Sequence, residues 1–313
     1  MNRIFTDEEL AQAGRLTVDL IAEALAAQQN QRAIELVNRF QQELMTMFYS
    51  YTGWEKSIGA CIVTLSSEER LAQIMASVED YETAPERNVV TKGVGRQWAT
   101  ELQDIVSKIE AGELDGQADR ARAIRDAALI IHDGVMSRVV AMLSAVYQDH
   151  GDKDLLWVFG EVMKPEAMDP DGKIPFRKKV ENIMTFTRCH LLPFSVTEDD
   201  EKVTFMPNPC PSGARLIRAG HYQTPRNNAV VRDVGPLTYG KKEMPIYCCH
   251  EPSMELVSAM RTGVPLFIVD PPEDVGISPC KIYVYKKPAN IPEEYYQRLG
   301  LAKPDDLIAS SRT

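Results

Sequence analysis

The sequence predicts an α+β protein, with an N-terminal α-helical bundle over residues 1–151 and a smaller α+β domain with an antiparallel sheet over residues 152–313. Three observations predict it. Apolar residues recur at steps of three and four from Thr6 to Gly151, which is the helical period. Beyond Gly151 proline, glycine and β-branched residues become frequent. Short apolar runs bounded by turn residues then follow one another, as strands do.

The helical half opens with Thr6 and Glu9 in the spacing of a capping box, followed by Leu10, Leu16, Leu20, Ile21 and Leu25 along one face. Ile34, Val37, Phe40, Leu44 and Met47 predict a second helix over 31–49. Ser66 and Glu69 form another capping-box spacing ahead of Leu71, Ile74 and Met75. Gly93 and Gly95 interrupt the chain before a helix carrying Trp98, Leu102, Ile105, Val106 and Ile109. Residues 117–150 are long enough for one extended helix, closed by His150 in its last turn and Gly151 at its end. His132 and Asp133, adjacent on that helix, project about 100° apart. They read as a poor pair for one substrate, and His132 as a satisfied core or boundary residue. The run from Met45 to Tyr51 reads as core packing rather than as a pocket lining.

In the second half, residues 154–163 and 176–187 predict short helices on either side of a loop over 165–175. Residues 191–196 and 202–206, joined by the acidic turn 198–201, predict a hairpin. Leu266 to Val269 and Lys281 to Tyr285 predict two more strands. Ahead of them Ser253 to Thr262 predicts a helix, with Pro252 before it and Gly263 closing it. A short amphipathic piece follows at 293–299, and then a polar, loose tail.

The charge balance narrows the function classes. A net charge of −10 and a pI near 5.1 argue against nucleic-acid binding, because backbone binders gather Lys and Arg on one face. The N-terminus turns acidic at once, without the apolar region of a signal peptide, and no membrane span is expected. A cytoplasmic location follows as the expectation, with a small-molecule substrate or ligand as the partner and a homodimer as an option. Six cysteines without a secretion signal read as thiols or metal ligands rather than a disulfide framework.

Chemistry concentrates in Met244 to Pro252, where Cys248, Cys249, His250 and Glu251 are consecutive. In an extended segment Cys248 and His250 project to one side, so they could chelate together. Cys210, in the proline-rich turn Cys210-Pro211-Ser212-Gly213, and Cys189 or His221 could complete a tetrahedral zinc set. The expected metal ligands are therefore Cys210, Cys248, His250 and Cys189. Glu251 or His221 would act as general base toward a zinc-bound water. Cys189, Cys210, Cys248 and Cys280 could instead hold an iron–sulfur cluster. A metal-free alternative makes Cys210 a nucleophile with His221 or His250 as base, oriented by Glu251 or Asp270. A plainer reading makes Cys61, Cys249 and Cys280 small buried hydrophobes.

The pattern from Cys210 through Gly263-Val264-Pro265-Leu266-Phe267 to Ser278-Pro279-Cys280 and the run Lys281 to Tyr285 resembles small bacterial domains of the 4-vinyl-reductase and L-2-amino-thiazoline-4-carboxylate hydrolase kind. The resemblance implies an α+β domain that handles a small organic molecule, with a late cysteine before a final strand and cysteines around a pocket. It includes neither Cys248 to Glu251 nor the helical half. The leading expectation is a zinc-dependent enzyme that hydrolyses or lyses a small organic molecule. The alternatives are a sensor or scaffold with a structural metal, and a metal-free Cys-His hydrolase.

Overall fold

In the computed structural model the described residues are 3–79, 92–163, 169, 173–207 and 210–311. The first part is helical throughout: α1 (Asp7–Ala13), α2 (Thr17–Ala26), α3 (Asn30–Leu65), α4 (Glu68–Glu79), α5 (Val94–Glu110) and α6 (Gln117–His150). Then come α7 (Asp152–Val162) and α8 (Phe176–Arg188). The loop expected at 165–175 lies largely outside the described residues.

The capping box at Thr6 and Glu9 is present, but the helix it opens is short. It ends at Gly14 because that residue is pressed against the sheet: a Cβ there would stand 1.7 Å from the Phe194 carbonyl oxygen. The Phe194 N–H donates to the Gly14 carbonyl at 3.0 Å. The expected single stripe from Leu10 to Leu25 is therefore two helices with an elbow. Helix α3 runs on to Leu65, well past the expected 49. The cap of α4 is Ser67 rather than Ser66, its Oγ accepting from the Arg70 N–H at 3.2 Å.

Helix α6 spans the expected residues and ends at Gly151, whose φ of 79° suits glycine. It contains a stretch long and apolar enough to cross a membrane, but 72% of that stretch is buried inside the protein. It is the central helix of the bundle, packed against α2, α3, α4 and α5.

Past α8, a four-stranded antiparallel sheet forms in the order β1-β2-β6-β5. Its strands are β1 (Phe194–Glu198), β2 (Lys202–Pro207), β5 (Ile268–Asp270) and β6 (Lys281–Tyr285). The hairpin register pairs Val196 with Phe205, and Val203 of β2 faces Val284 of β6. These alternate residues are buried, which is the pattern of a sheet with one face against a core. Helix α9 (Gly213–Arg218) and a small pair, β3 (Val230–Val231) and β4 (Met244–Pro245), sit between the hairpin and the later strands. Then come a 3₁₀ turn (Ile246–Cys249) and α10 (His250–Thr262), capped by Gly263 in the left-handed region. The fold is α+β, as the sequence predicts.

The C-terminal segment differs from the loose tail expected. After α11 (Glu293–Gln297), the buried Lys303 ammonium donates to the Ala289 and Ile291 carbonyls at 2.7 and 2.8 Å, and α12 (Asp305–Ser311) follows. One hydrophobic cluster contains Phe5, Phe40, Met142, Phe159, Phe205, Ile246 and Val284 together, so the core runs across Gly151 without a break.

Candidate functional site

A mainly apolar pocket of about 80 Å³ lies where both parts of the chain meet. By volume it admits several waters or an organic group of a few heavy atoms. Tyr51 and Trp54 of α3 form one wall, α8 and the residues after it another, and the sheet contributes Val269 and Ile282. The aromatic run of α3 is thus divided: Leu44, Met47 and Phe48 are core, and Tyr51 faces the cavity.

The polar lining is drawn from distant parts of the sequence. Cys210, Ser212, Cys248, His250, Glu251, Cys280 and His190 all reach this cavity. Cys210 and Cys248 are close neighbours, because both sulfurs approach the same point: a Cβ on Gly213 would stand 2.9 Å from the Cys248 Sγ and 3.7 Å from the Cys210 Sγ. Glycine at 213 leaves the room that these thiols fill.

Backbone N–H groups of Ala214, Ser212 and Gly213 point at the Cys210 sulfur and favour its thiolate. Burial works against them and prevails, so the Cys210 thiol titrates above the ordinary range. Cys248 is pushed well up by burial, and next by the neighbouring thiols Cys210 and Cys280. Burial and then Cys210 push Cys280 up as well. The three are neutral thiols at pH 7.

His250 and Glu251 form an ion pair. Burial disfavours the imidazolium, but the Glu251 carboxylate, 3.1 Å from Nε2, and the Tyr247 carbonyl, 2.6 Å from Nδ1, outweigh it and raise the His250 pKa. Glu251 titrates below its usual range for the complementary reason, the His250 charge overcoming the cost of burial. The rings of Tyr247 and Trp54, with centroids 4.8 and 5.7 Å from that of His250, flank it. Aromatic faces favour a cation held against them.

His190 is the opposite case. Burial first, and then the nearby His132, push its pKa down to about 4, so it is neutral. Its Nδ1–H donates to the Thr187 carbonyl at 3.1 Å, which selects the tautomer with the lone pair on Nε2.

Several expected roles change. The strand that would have set Cys248 and His250 on one side is not there, because 246–249 is a 3₁₀ turn and α10 starts at His250. Pro252 lies inside the first turn of α10, where a missing N–H costs nothing. Both residues still reach the cavity, but both His250 nitrogens already face acceptors, which removes it as a ligand in this arrangement. Cys189 is outside the cavity, only 3% exposed, with its thiol donating to the Thr185 carbonyl at 3.0 Å. His221 is 2% exposed, contacts Arg226, and lines a separate cleft of about 410 Å³ beside His132, Asp133 and Arg215. It is not placed to act with Glu251. Among the described residues, no group of three or more His, Cys, Asp or Glu side chains is arranged to hold a metal ion.

The sequence points to core packing for Tyr51, which instead lines the cavity, and singles out no role for Ser212, Trp54 or Tyr247. Ser212 lay inside the noted Cys210-Pro211-Ser212-Gly213 turn, so the signal was there. The aromatic residues carry no pattern that distinguishes a cavity wall from a core. No protein-family model, curated protein or solved structure matches this chain in the comparisons made.

Proposed function

We propose that this apolar cavity binds a small, largely apolar organic molecule and hydrolyses or lyses it. The observation that carries this reading is the convergence of Cys210, Cys248, Cys280, His190 and the His250–Glu251 pair on one apolar cavity from four separate stretches of chain. Perturbed titratable groups in an apolar pocket are the usual mark of a reaction site. The resemblance of residues 210–285 to small-molecule-handling domains points the same way.

Turnover of a panel of small esters, amides and thioesters tests it. The wild type is expected to act on members whose acyl part fits the cavity. Gly213→Ala, whose Cβ pushes into the space between Cys248, Tyr247 and Cys210, is expected to lose at least about tenfold, the effect of a small misplacement at a reacting centre. Circular dichroism melting would verify that the variant is folded. Turnover that survives the obstruction contradicts the proposal.

A second reading, in which zinc or another thiophilic metal is held here, is favoured by the neighbouring Cys210 and Cys248 sulfurs and the N–H groups on Cys210. Thiolates held by backbone N–H groups are good soft-metal ligands. In this reading Cys210, Cys248 and Cys280 would hold the metal, which would supply Lewis-acid polarisation of a bound carbonyl. Zinc titration of the reduced protein is expected to lose its binding step in Cys248→Ser and to keep it in Cys189→Ala and His250→Ala.

A further inference from the structure

The cavity and the adjoining cleft share a lining residue. Ser212 lines both. On the cleft side its Oγ lies 3.0 Å from His132 Nε2, and His132 Nδ1 lies 3.0 Å from Asp133 Oδ1. With the carboxylate accepting the Nδ1–H, the neutral imidazole would present its Nε2 lone pair to the Ser212 hydroxyl. Asp133 is itself fixed, because Arg215 donates through Nε to Oδ1 at 3.1 Å and through its terminal nitrogen to Oδ2. His132 is 1% and Ser212 3% exposed, so these bonds do not compete with bulk water.

On the cavity side the Ser212 Oγ meets phenols. The Tyr51 hydroxyl is 3.4 Å away, and the Tyr247 hydroxyl is hydrogen-bonded to the same serine. A phenol hydroxyl can donate to an oxygen held between the two rings. A hydroxyl, an imidazole and a carboxylate in that order, with two donors beside the hydroxyl, are the parts required for acyl transfer. A hydrogen bond that merely joined α6 to the start of α9 would need neither the carboxylate behind the imidazole nor the phenols.

We propose that Ser212 is a nucleophile activated by His132, with Asp133 as the positioning residue and Tyr51 and Tyr247 as oxyanion donors, acting on the ester or thioester of a short apolar carboxylic acid. This rests on the cavity being the reaction site, as proposed above. Ser212 Oγ bonds to the acyl carbon, its proton passes to His132 Nε2, and the carbonyl electron pair moves to the oxygen facing the phenols. Collapse breaks the bond to the alcohol or thiol, which leaves with the proton from Nε2. Water then attacks the acyl-serine, giving its proton to Nε2. The second collapse frees the carboxylic acid and returns the proton to Ser212. The cavity of about 80 Å³ restricts the acyl group to a few heavy atoms.

Methanesulfonyl fluoride is small enough to test this on the full chain. Serine attack forms the Oγ–S bond and expels fluoride, and peptide mass mapping locates the adduct. The expected result is one sulfonyl group on Ser212, none in Ser212→Ala, and labelling slowed at least about 100-fold in His132→Gln, the usual contribution of a general base. Asp133→Asn is expected to slow labelling and Asp133→Glu to restore part of the rate, which a packing role would not do. Cys210→Ala is expected to be labelled still. Absence of a Ser212 adduct in the folded wild type overturns the proposal, as does an unchanged rate in a folded His132→Gln or Asp133→Asn variant. Ester turnover separates this from the broader reading: if Ser212→Ala hydrolyses p-nitrophenyl acetate as the wild type does while Gly213→Ala does not, the cavity stands and the serine falls. A His132-dependent adduct without any turnover would support the serine and contradict the cavity as a hydrolytic site.

Discussion

At the scale of residues, the cavity divides its two histidines by what each nitrogen faces. His250 has an acceptor on both sides and its pKa is raised, whereas His190 has one carbonyl on Nδ1 and is held neutral, with its pKa near 4. That difference predicts a pH effect. In the unfolded chain His190 takes a proton near pH 6.5, which the folded state refuses until about 4. Between those values the unfolded state binds more protons, so stability falls as pH drops from 6.5 toward 4 and the loss is complete below 4. For a half-buried side chain the effect is of order 1–3 kcal/mol. Urea melts from pH 7 to 4.5 are expected to show a flatter acid limb in His190→Gln than in the wild type. Parallel limbs would contradict the assignment.

Residue identity was only partly legible. The ligand density at Cys248 to Glu251 and the turn at Cys210 are visible in the sequence, and both reach the cavity. Which of them could act together was not visible, because i and i+2 share a side only in a strand and this segment is helical. His132 and Asp133 show the same limit. Their spacing correctly suggests a satisfied, buried histidine. That the two side chains meet, and that Ser212 completes the line, depends on α9 packing against α6.

At the scale of elements, periodicity gave good account of helices and strands where one face is buried. Helix α6, the hairpin and β6 stand where the pattern places them. It failed at the α1–α2 elbow because the cause there is tertiary. The stripe of leucines continues, but the backbone of Gly14 lies against Phe194. Gly14→Ala brings a Cβ into that carbonyl, where only backbone could give way, so either the elbow or β1 must shift. A loss of about 3 kcal/mol or more in a denaturant melt is expected, at the upper end of overpacking costs. A variant as stable as the wild type would mean that the elbow is not packed as described. The chain ahead of the elbow is tied to the same hairpin, since the Glu198 carboxylate accepts from the Ile4 and Phe5 N–H groups and pairs with Lys286 at 2.6 Å.

At the scale of the whole molecule, the composition changes at Gly151 and the strands begin later, at Phe194, yet the hydrophobic core continues across Gly151. Composition reports local conformation, and core continuity depends on which faces meet, which no local pattern encodes. The consequence for function is direct. Helix α3 brings Tyr51 and Trp54, the sheet brings Val269 and Ile282, and α10 brings the His250–Glu251 pair, so the cavity exists only where the two parts are joined. The account therefore stands on one geometric claim, that Cys210 and Cys248 meet inside that cavity. Phenylarsine oxide measures it most directly, since its trivalent arsenic binds two thiols only when they are adjacent, releasing water. One equivalent added to the reduced protein is expected to bridge Cys210 and Cys248 in peptide mass mapping, and no bridge is expected in Cys248→Ser. A folded wild-type protein that takes up no arsenic, or binds it only through Cys61 or Cys189, would contradict the account.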